Sequence, residues 1–376
     1  MNDHSYVLVD SQPALEQAAG ELAACPRLYL DTEFESGRGP TRLCLLQISS
    51  GTRIFLVDTL KLERLDALGA ALTRPDVEWV FHAGLQDLAL IEQRLRVRAP
   101  KRLFDTQVGY ALVSAENNVS LAYLRYLLLG NRTDKGHQAD DWLARPFSES
   151  QLRYAAGDVH DLPAITDVLL ERAESKGRRE LVFDASREAL EPSREPPPPL
   201  SLEQFRNAWQ LGPKSQAGLR FLMAWYNALP AEEKLHAPDS KTLLALAARL
   251  PESASALGRI KGVSPGVLQR YGAHLAKGLT AAAQQAKGTD FVPIEPLPYA
   301  TFTEIRREAW LGLLRAELCA VLEVSPEQAL PQRVMRELKL KLQESGPARL
   351  SEALRGYRKR LLGDAVDAFC DRHPAP

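Results

Sequence analysis

The sequence predicts an α/β domain, a mixed sheet flanked by helices, followed by two all-helical units. Three observations predict it. Residues 27–58 hold three short apolar runs joined by turn residues, the pattern of an antiparallel meander. Residues 62–105 then alternate between helical and strand periodicity, as β-α-β units do. Beyond residue 200 only amphipathic helical stripes remain.

Residues 27–34 read as a strand that ends in Asp31-Thr32-Glu33. Residues 42–49 and 53–58 read as two more strands, with Ser50-Gly51-Thr52 as the turn between them. A helix is expected over 62–73, a strand over 77–82 and a helix over 84–95, with Leu88, Ile91 and Leu95 on one stripe. A short strand follows at 102–105, then helical segments to about residue 172. Residues 1–190 make up this domain. Residues 191–200, with prolines at 196 to 199, read as a stiff linker. Phe205, Trp209, Leu219, Phe221, Leu222, Trp225 and the run Leu243-Leu244-Ala245-Leu246-Ala247 mark helices of a unit spanning 201–285, with both tryptophans expected in its core. A second linker at 286–300 contains Gly288, Pro293, Pro296 and Pro298. Residues 301–376 are expected to form another helical unit, with Ile305, Trp310, Leu313 and Leu314 on its stripes.

A chain of 376 residues is too long for one typical core and suits two or three domains. It contains no apolar run of the roughly 18 residues that a membrane span needs. Its first residues lack the basic-then-apolar layout of a secretory signal, so a cytoplasmic protein is expected. Cys25, Cys44, Cys319 and Cys370 are scattered without zinc-like spacing and read as reduced thiols. The net charge of −1 hides an asymmetry: residues 1–200 carry 23 basic and 30 acidic side chains, residues 201–285 carry 10 and 5. An acidic first half grips phosphate poorly unless cations sit in it, whereas the basic segment suits a phosphate backbone or a solvated helical face. The run Arg355-Gly356-Tyr357-Arg358-Lys359-Arg360 admits the same two readings.

Four carboxylates and a phenol fall where an α/β fold exposes residues, at strand ends and helix starts. Asp31 and Glu33 are two apart on a strand and share a face. Asp87 lies in the first turn of its helix, just after His82-Ala83-Gly84. Tyr154 and Asp158, four apart, are neighbours on one helix surface. Each has an ordinary explanation alone: a carboxylate complementing a helix dipole, or a tyrosine packed beside a solvated aspartate. Together they form a set of oxygen ligands of the kind Mg²⁺ and Mn²⁺ prefer. A pair of such ions is a standard apparatus for cleaving a phosphodiester.

On these residues the chain closely resembles bacterial ribonuclease D, in the tyrosine subclass of the DEDD exonucleases. The three motifs are Leu30-Asp31-Thr32-Glu33-Phe34, His82-Ala83-Gly84-Leu85-Gln86-Asp87-Leu88 and Tyr154-Ala155-Ala156-Gly157-Asp158-Val159, with Phe104-Asp105-Thr106-Gln107 and Asp141-Trp142-Leu143-Ala144-Arg145-Pro146 between the last two. Gly157 stands where the third motif more often has alanine, and segment 35–41 looks short and glycine-rich. The resemblance implies a ribonuclease H-like fold. It implies two divalent ions, Mg²⁺ or Mn²⁺, on Asp31, Glu33, Asp87 and Asp158, with Tyr154 orienting the attacking water. It also implies removal of nucleotides from RNA 3′ ends, transfer-RNA precursors being typical substrates; a monomer is expected. Residues 201–285 resemble the helicase-and-ribonuclease-D C-terminal (HRDC) module, and 301–376 a more diverged copy. Candidate substrate contacts are Thr32, Phe34 and His82 beside the acids, and Arg259, Lys261 and Arg270 at a loop entering a helix, where backbone amides can hold phosphate. His82 reads equally well as a strand-end cap. A DNA exonuclease with the same ligands, a non-catalytic RNA-binding protein and a helical scaffold remain open alternatives.

Overall fold

A computed structural model describes residues 5–36, 41–132, 140–191, 199–205, 207–234, 237–296 and 301–376. Most of the first linker, residues 37–40 of the glycine-rich segment and residues 297–300 of the second linker lie outside the described residues. The chain divides into two compact units, residues 1–192 with 302–376, and residues 193–301.

In the first unit the elements are β1 (Tyr6–Val9), α1 (Gln12–Leu22), β2 (Arg27–Glu35), β3 (Arg42–Ser49), β4 (Ile54–Asp58), α2 (Asp66–Leu72), β5 (Glu78–Phe81), α3 (Leu85–Leu95) and β6 (Arg102–Asp105). Helices α4 (Thr106–Ala111), α5 (Leu121–Leu129), α6 (Glu149–His160), α7 (Leu162–Ser175) and α8 (Arg179–Leu190) follow. The six strands lie in the order β1-β4-β3-β2-β5-β6. The β2–β3 and β3–β4 pairs are antiparallel, as the meander predicts; β1–β4, β2–β5 and β5–β6 are parallel. This is the expected mixed sheet. β1 and α1 were not among the expected elements; Ser11 occupies the N-cap position of α1 in extended backbone, and Pro13 sits in its first turn, where proline is tolerated. α2 begins four residues later than expected. Residues 59–62 instead form a connection in which Arg94 Nη2 donates to the carbonyls of Thr59 (2.6 Å) and Leu62 (3.1 Å).

Side-chain alternation along the strands sorts the core into two layers. Leu28 and Leu30 of β2 join Leu46, Phe55, Trp79 and Phe81 under α1–α3. Tyr29 joins Leu45, Leu56, Val80 and Phe104 under α4 and α6–α8. With period two, Asp31 and Glu33 continue the Tyr29 face towards α6, and Thr32 continues the opposite face towards α3. The loop before α6 is fixed by a fork: Arg145 Nε and Nη2 meet the two Asp58 oxygens at 2.6 and 2.8 Å, and the guanidinium lies 3.7 Å from the centre of the Phe147 ring.

Residues 302–376 form helices over Phe302–Leu322, Pro326–Ala329, Gln332–Ser345 and Gly356–Arg372. They have their own apolar cluster around Leu314, Leu338 and Phe369. Yet they fold in one unit with residues 1–192. Tyr357 is buried in the α6–α8 layer, and Ser325 N donates to Ala111 O at 2.8 Å. The basic run 355–360 is neither free nor simply solvated, because Arg358 pairs with Glu188 and Arg360 with Asp184 of α8.

The second unit contains α9 (Pro213–Ala228), α10 (Ala231–Lys234), α11 (Ser240–Arg249), α12 (Ala254–Gly258) and α13 (Pro265–Gln285) around Leu219, Leu222, Leu243, Leu246 and Leu275. Trp225 packs edge-on against Tyr271 with ring centres 5.1 Å apart, as a core residue should. Trp209 departs from that expectation and is 43% exposed.

Candidate active site

The first motif lies on the C-terminal half of β2. Asp31 pairs with Gln47 and Glu33 with Leu45, and a register shift follows between Glu33 and Phe34. The shift is a bulge-like irregularity just beyond the acids, after which pairing resumes with Phe34 opposite Leu43 and Glu35 opposite Arg42. The second motif lies on the turn from β5 into α3. Ala83 has φ +56°, and a Cβ on Gly84 would collide with the Phe81 ring, so this close approach requires glycine. The buried Asp105 carboxylate holds the turn: it accepts from the amides of Ala83 (3.1 Å), Gly84 (3.0 Å) and Gln107 (2.9 Å). These bonds satisfy donors at two element starts and fix where Asp87 emerges. The third motif is the inner face of α6, which begins with a Ser148–Gln151 capping box.

All four acids sit where burial disfavours their charged forms. Asp31 is pushed well above the usual carboxylate range, first by burial and then by the charges of Asp87, Asp158 and Glu33. Glu33 is pushed to about 8 by burial, with Asp158, Asp87 and Asp140 adding to the rise. Asp87 is raised by burial, and Asp158 rises to about 6 for the same reason. The Tyr154 phenol is raised by burial and by the neighbouring carboxylates, and is hydrogen-bonded to Asp158. Mutual repulsion in a half-buried pocket is relieved by protons or by cations, and four carboxylates are a hard-cation donor set.

The oxygens are not in ligating array. Among the described residues, no three His, Cys, Asp or Glu side chains are gathered closely enough to hold a metal ion. Local partners account for the splay. Thr32 Oγ1 donates to Asp87, Gln47 Nε2 reaches Glu33 Oε1 at 3.5 Å, and Arg125 Nη1 lies 3.7 Å from Asp158 Oδ1. The donor chemistry fits divalent ions, and Asp31, Glu33, Asp87 and Asp158 are the residues that could hold them.

The pH dependence follows with a definite sign. Glu33 carries a proton in the folded, cation-free protein over a window, from its ordinary 4.5 to about 8, in which the unfolded chain has lost it. The proton-bound folded form is therefore favoured at low pH, and stability is lost as pH rises through that window. In chelator, the melting temperature of the native protein should fall, relative to Glu33→Gln, between about pH 5 and pH 8. Thermal melts of both proteins check this; parallel curves would show that Glu33 is not a repelled carboxylate.

The other candidate residues are dispersed. Thr32 is buried and bonded to Asp87. Phe34 packs against the core under α1–α3. His82 Nδ1 lies 2.9 Å from Thr106 Oγ1, and burial lowers its pKa, so the ring is a neutral link between β5 and α4. Arg259, Lys261 and Arg270 are exposed in the second unit. Arg270 borders an open cleft of about 780 Å³ with Thr242, Gly262 and Ser264 at the start of α13. Asp105 and Arg125 were missed as organisers of the site. A lone arginine in the apolar helix Leu-Ala-Tyr-Leu-Arg-Tyr-Leu-Leu-Leu was a legible signal, because a buried charge demands a partner.

Comparison with known proteins agrees with the motifs. The 3′–5′ exonuclease family model matches residues 6–174, and the HRDC domain model matches 239–278. Ribonuclease D of Pseudomonas paraeruginosa is 30% identical over 94% of this chain and 94% of its own length. Ribonuclease D of Gluconacetobacter diazotrophicus is 30% identical over 97% of this chain and 93% of its own length. The crystal structure of Escherichia coli RNase D superposes with a TM-score of 0.70 at 25% identity, covering 98% of this chain and all of that one. With matches of this extent at both levels, the chain belongs to the ribonuclease D family of 3′–5′ exoribonucleases.

Proposed function

We propose that the chain trims RNA 3′ ends by two-metal-ion hydrolysis at Asp31, Glu33, Asp87 and Asp158. Transfer-RNA precursors and other structured RNAs with 3′ extensions are the proposed substrates, and the proposed working form is a cytoplasmic monomer. Among the described residues no helix is long and apolar enough to cross a membrane. The observation that carries the reading is the electrostatic one: Asp31 feels the charges of all three other acids. Use of divalent metals is general to exonucleases of this superfamily. The Escherichia coli relative is described as an exoribonuclease involved in structured RNA processing.

Bound divalent ions would supply the Lewis acidity that activates water and stabilises the leaving 3′ oxygen. The protein's part is positioning. Tyr154, raised well above its ordinary pKa, stays protonated. Its hydroxyl donates to Asp158 and keeps a lone pair for the attacking water, so it orients that water rather than taking its proton. The β2 end and the Asp105-held turn keep three acids on rigid elements, which reduces the reorganisation needed when charge develops.

Digestion of 5′-labelled RNA with a 3′ extension tests the reading. A ladder shortening one nucleotide at a time with Mg²⁺ or Mn²⁺, and none in excess chelator, is expected. Undiminished trimming in chelator would overturn it, and faster loss of a matched DNA oligomer would reassign the substrate. The exposed cations of the second unit are proposed as an RNA grip. Reversing Arg259, Lys261 and Arg270 to Glu should weaken RNA binding and flatten its salt dependence, by about 0.7 in log–log slope per lost phosphate contact. An unchanged slope in filter-binding titrations would remove these residues from the interface.

A further inference from the structure

Arg125 is the only charged residue of α5 and is 6% exposed. A buried guanidinium persists only when its charge and donors are matched. Its partners are concentrated on the end of α6. Nη2 donates to the Gly157 carbonyl, Nη1 lies 3.7 Å from Asp158 Oδ1, and Nε lies 3.2 Å from Asp161 Oδ2. The Nε contact is an ion pair without hydrogen-bond alignment. The hydroxyl of Tyr154 is a further partner of the Asp158 carboxylate. Three contacts from one rigid fork thus address the turn that carries Asp158.

The charge balance is informative. A guanidinium beside Asp158 alone would compete with a cation for that carboxylate. Here the nearer anion is Asp161, so Arg125 and Asp161 together are close to neutral and Asp158 retains its charge. We propose that Arg125 and Asp161 are positioning residues: Arg125 fixes the direction of the Asp158 carboxylate, and Asp161 limits the guanidinium's claim on its charge. The inference rests on the reading of Asp158 as a metal ligand. It requires arginine rather than lysine, because a single ammonium cannot meet a carbonyl and two carboxylates with a planar fork.

The test compares Asp161→Asn, Arg125→Lys and Arg125→Met with the native protein. Mn²⁺ binding is measured by titration calorimetry without RNA, and kcat and KM for RNA are measured across Mn²⁺ concentrations. Asp161→Asn turns the guanidinium wholly onto Asp158 and should weaken Mn²⁺ binding about tenfold, within the range for residues that orient metal ligands. Arg125→Met should lower kcat about tenfold with KM for RNA unchanged, and Arg125→Lys should fall between it and the native protein. Native Mn²⁺ affinity and kcat in both Asp161→Asn and Arg125→Lys, with only the melting temperature altered, would overturn the proposal. Those two variants decide the matter if Arg125→Met does not fold. Asp158→Asn separates the two levels: if it binds Mn²⁺ as the native protein does, the metal reading of Asp158 fails, and the positioning role with it.

Discussion

Asp31→Asn should abolish RNA trimming, with kcat lowered at least about 10³-fold, while the protein remains folded. Asp31 lies at the centre of the constellation, where the charges of Asp87, Asp158 and Glu33 meet. An amide there removes one hard anionic ligand and leaves the side chain's shape nearly unchanged. Loss of function should therefore come without loss of structure. Without cations the variant should melt at the native temperature or above, because a carboxyl whose charged form is disfavoured by burial and by its neighbours has been replaced by a neutral amide. The stabilisation that Mn²⁺ gives the native protein should shrink by the same change, since ligand binding raises stability in proportion to RT ln(1 + [L]/Kd). Activity assays paired with melts in chelator and in Mn²⁺ check this. A variant that trims RNA within tenfold of the native rate would remove Asp31 from the site. A variant that melts far below the native temperature in chelator would mark Asp31 as structural instead.

The elements carrying the acids were legible because their signals are local. Strand β3 was delimited correctly at both ends by its apolar run, and β6 by its flanking residues. The helix expected over 84–95 put Asp87 in its first turn, and the Tyr154–Asp158 spacing put both residues on one helix face. What could not be read is what faces what across long separations. Arg125 was visible as a lone charge in an apolar helix, but its partners are more than thirty residues away, and one of them, Asp161, follows the last motif. The amphipathic stripes of residues 302–376 require burial without naming a partner. The ion pair of Arg358 with Glu188 spans 170 positions, and no periodicity encodes it. Asp105 was recognised as part of a motif, but its work is done through backbone amides of residues 83 and 84, which sequence patterns do not record.

Tyr154→Phe should lower kcat about 10²–10⁴-fold with little change in KM for RNA or in Mn²⁺ binding. The phenol is packed against the core layer beneath α6, and its ring lies 6.4 Å from that of Trp142, so phenylalanine keeps the packing and removes only the hydroxyl. In the proposed mechanism the hydroxyl has two roles. It donates to Asp158, and its remaining lone pair can hold the attacking water in line with the phosphorus. The first contributes to ligand orientation, the second only to the transition state. A water-orienting group lost from the transition state lowers kcat and kcat/KM equally. The buried phenol is held far from ionisation by desolvation and the nearby carboxylates, so no tyrosinate limb should appear in the pH–rate profile up to about pH 9. Single-turnover rates across pH for the native and Tyr154→Phe proteins distinguish the cases. Equal depression at every pH supports orientation by a protonated phenol. A depression that grows with pH would require Tyr154 to act as a base, and near-native turnover would leave it a packing residue.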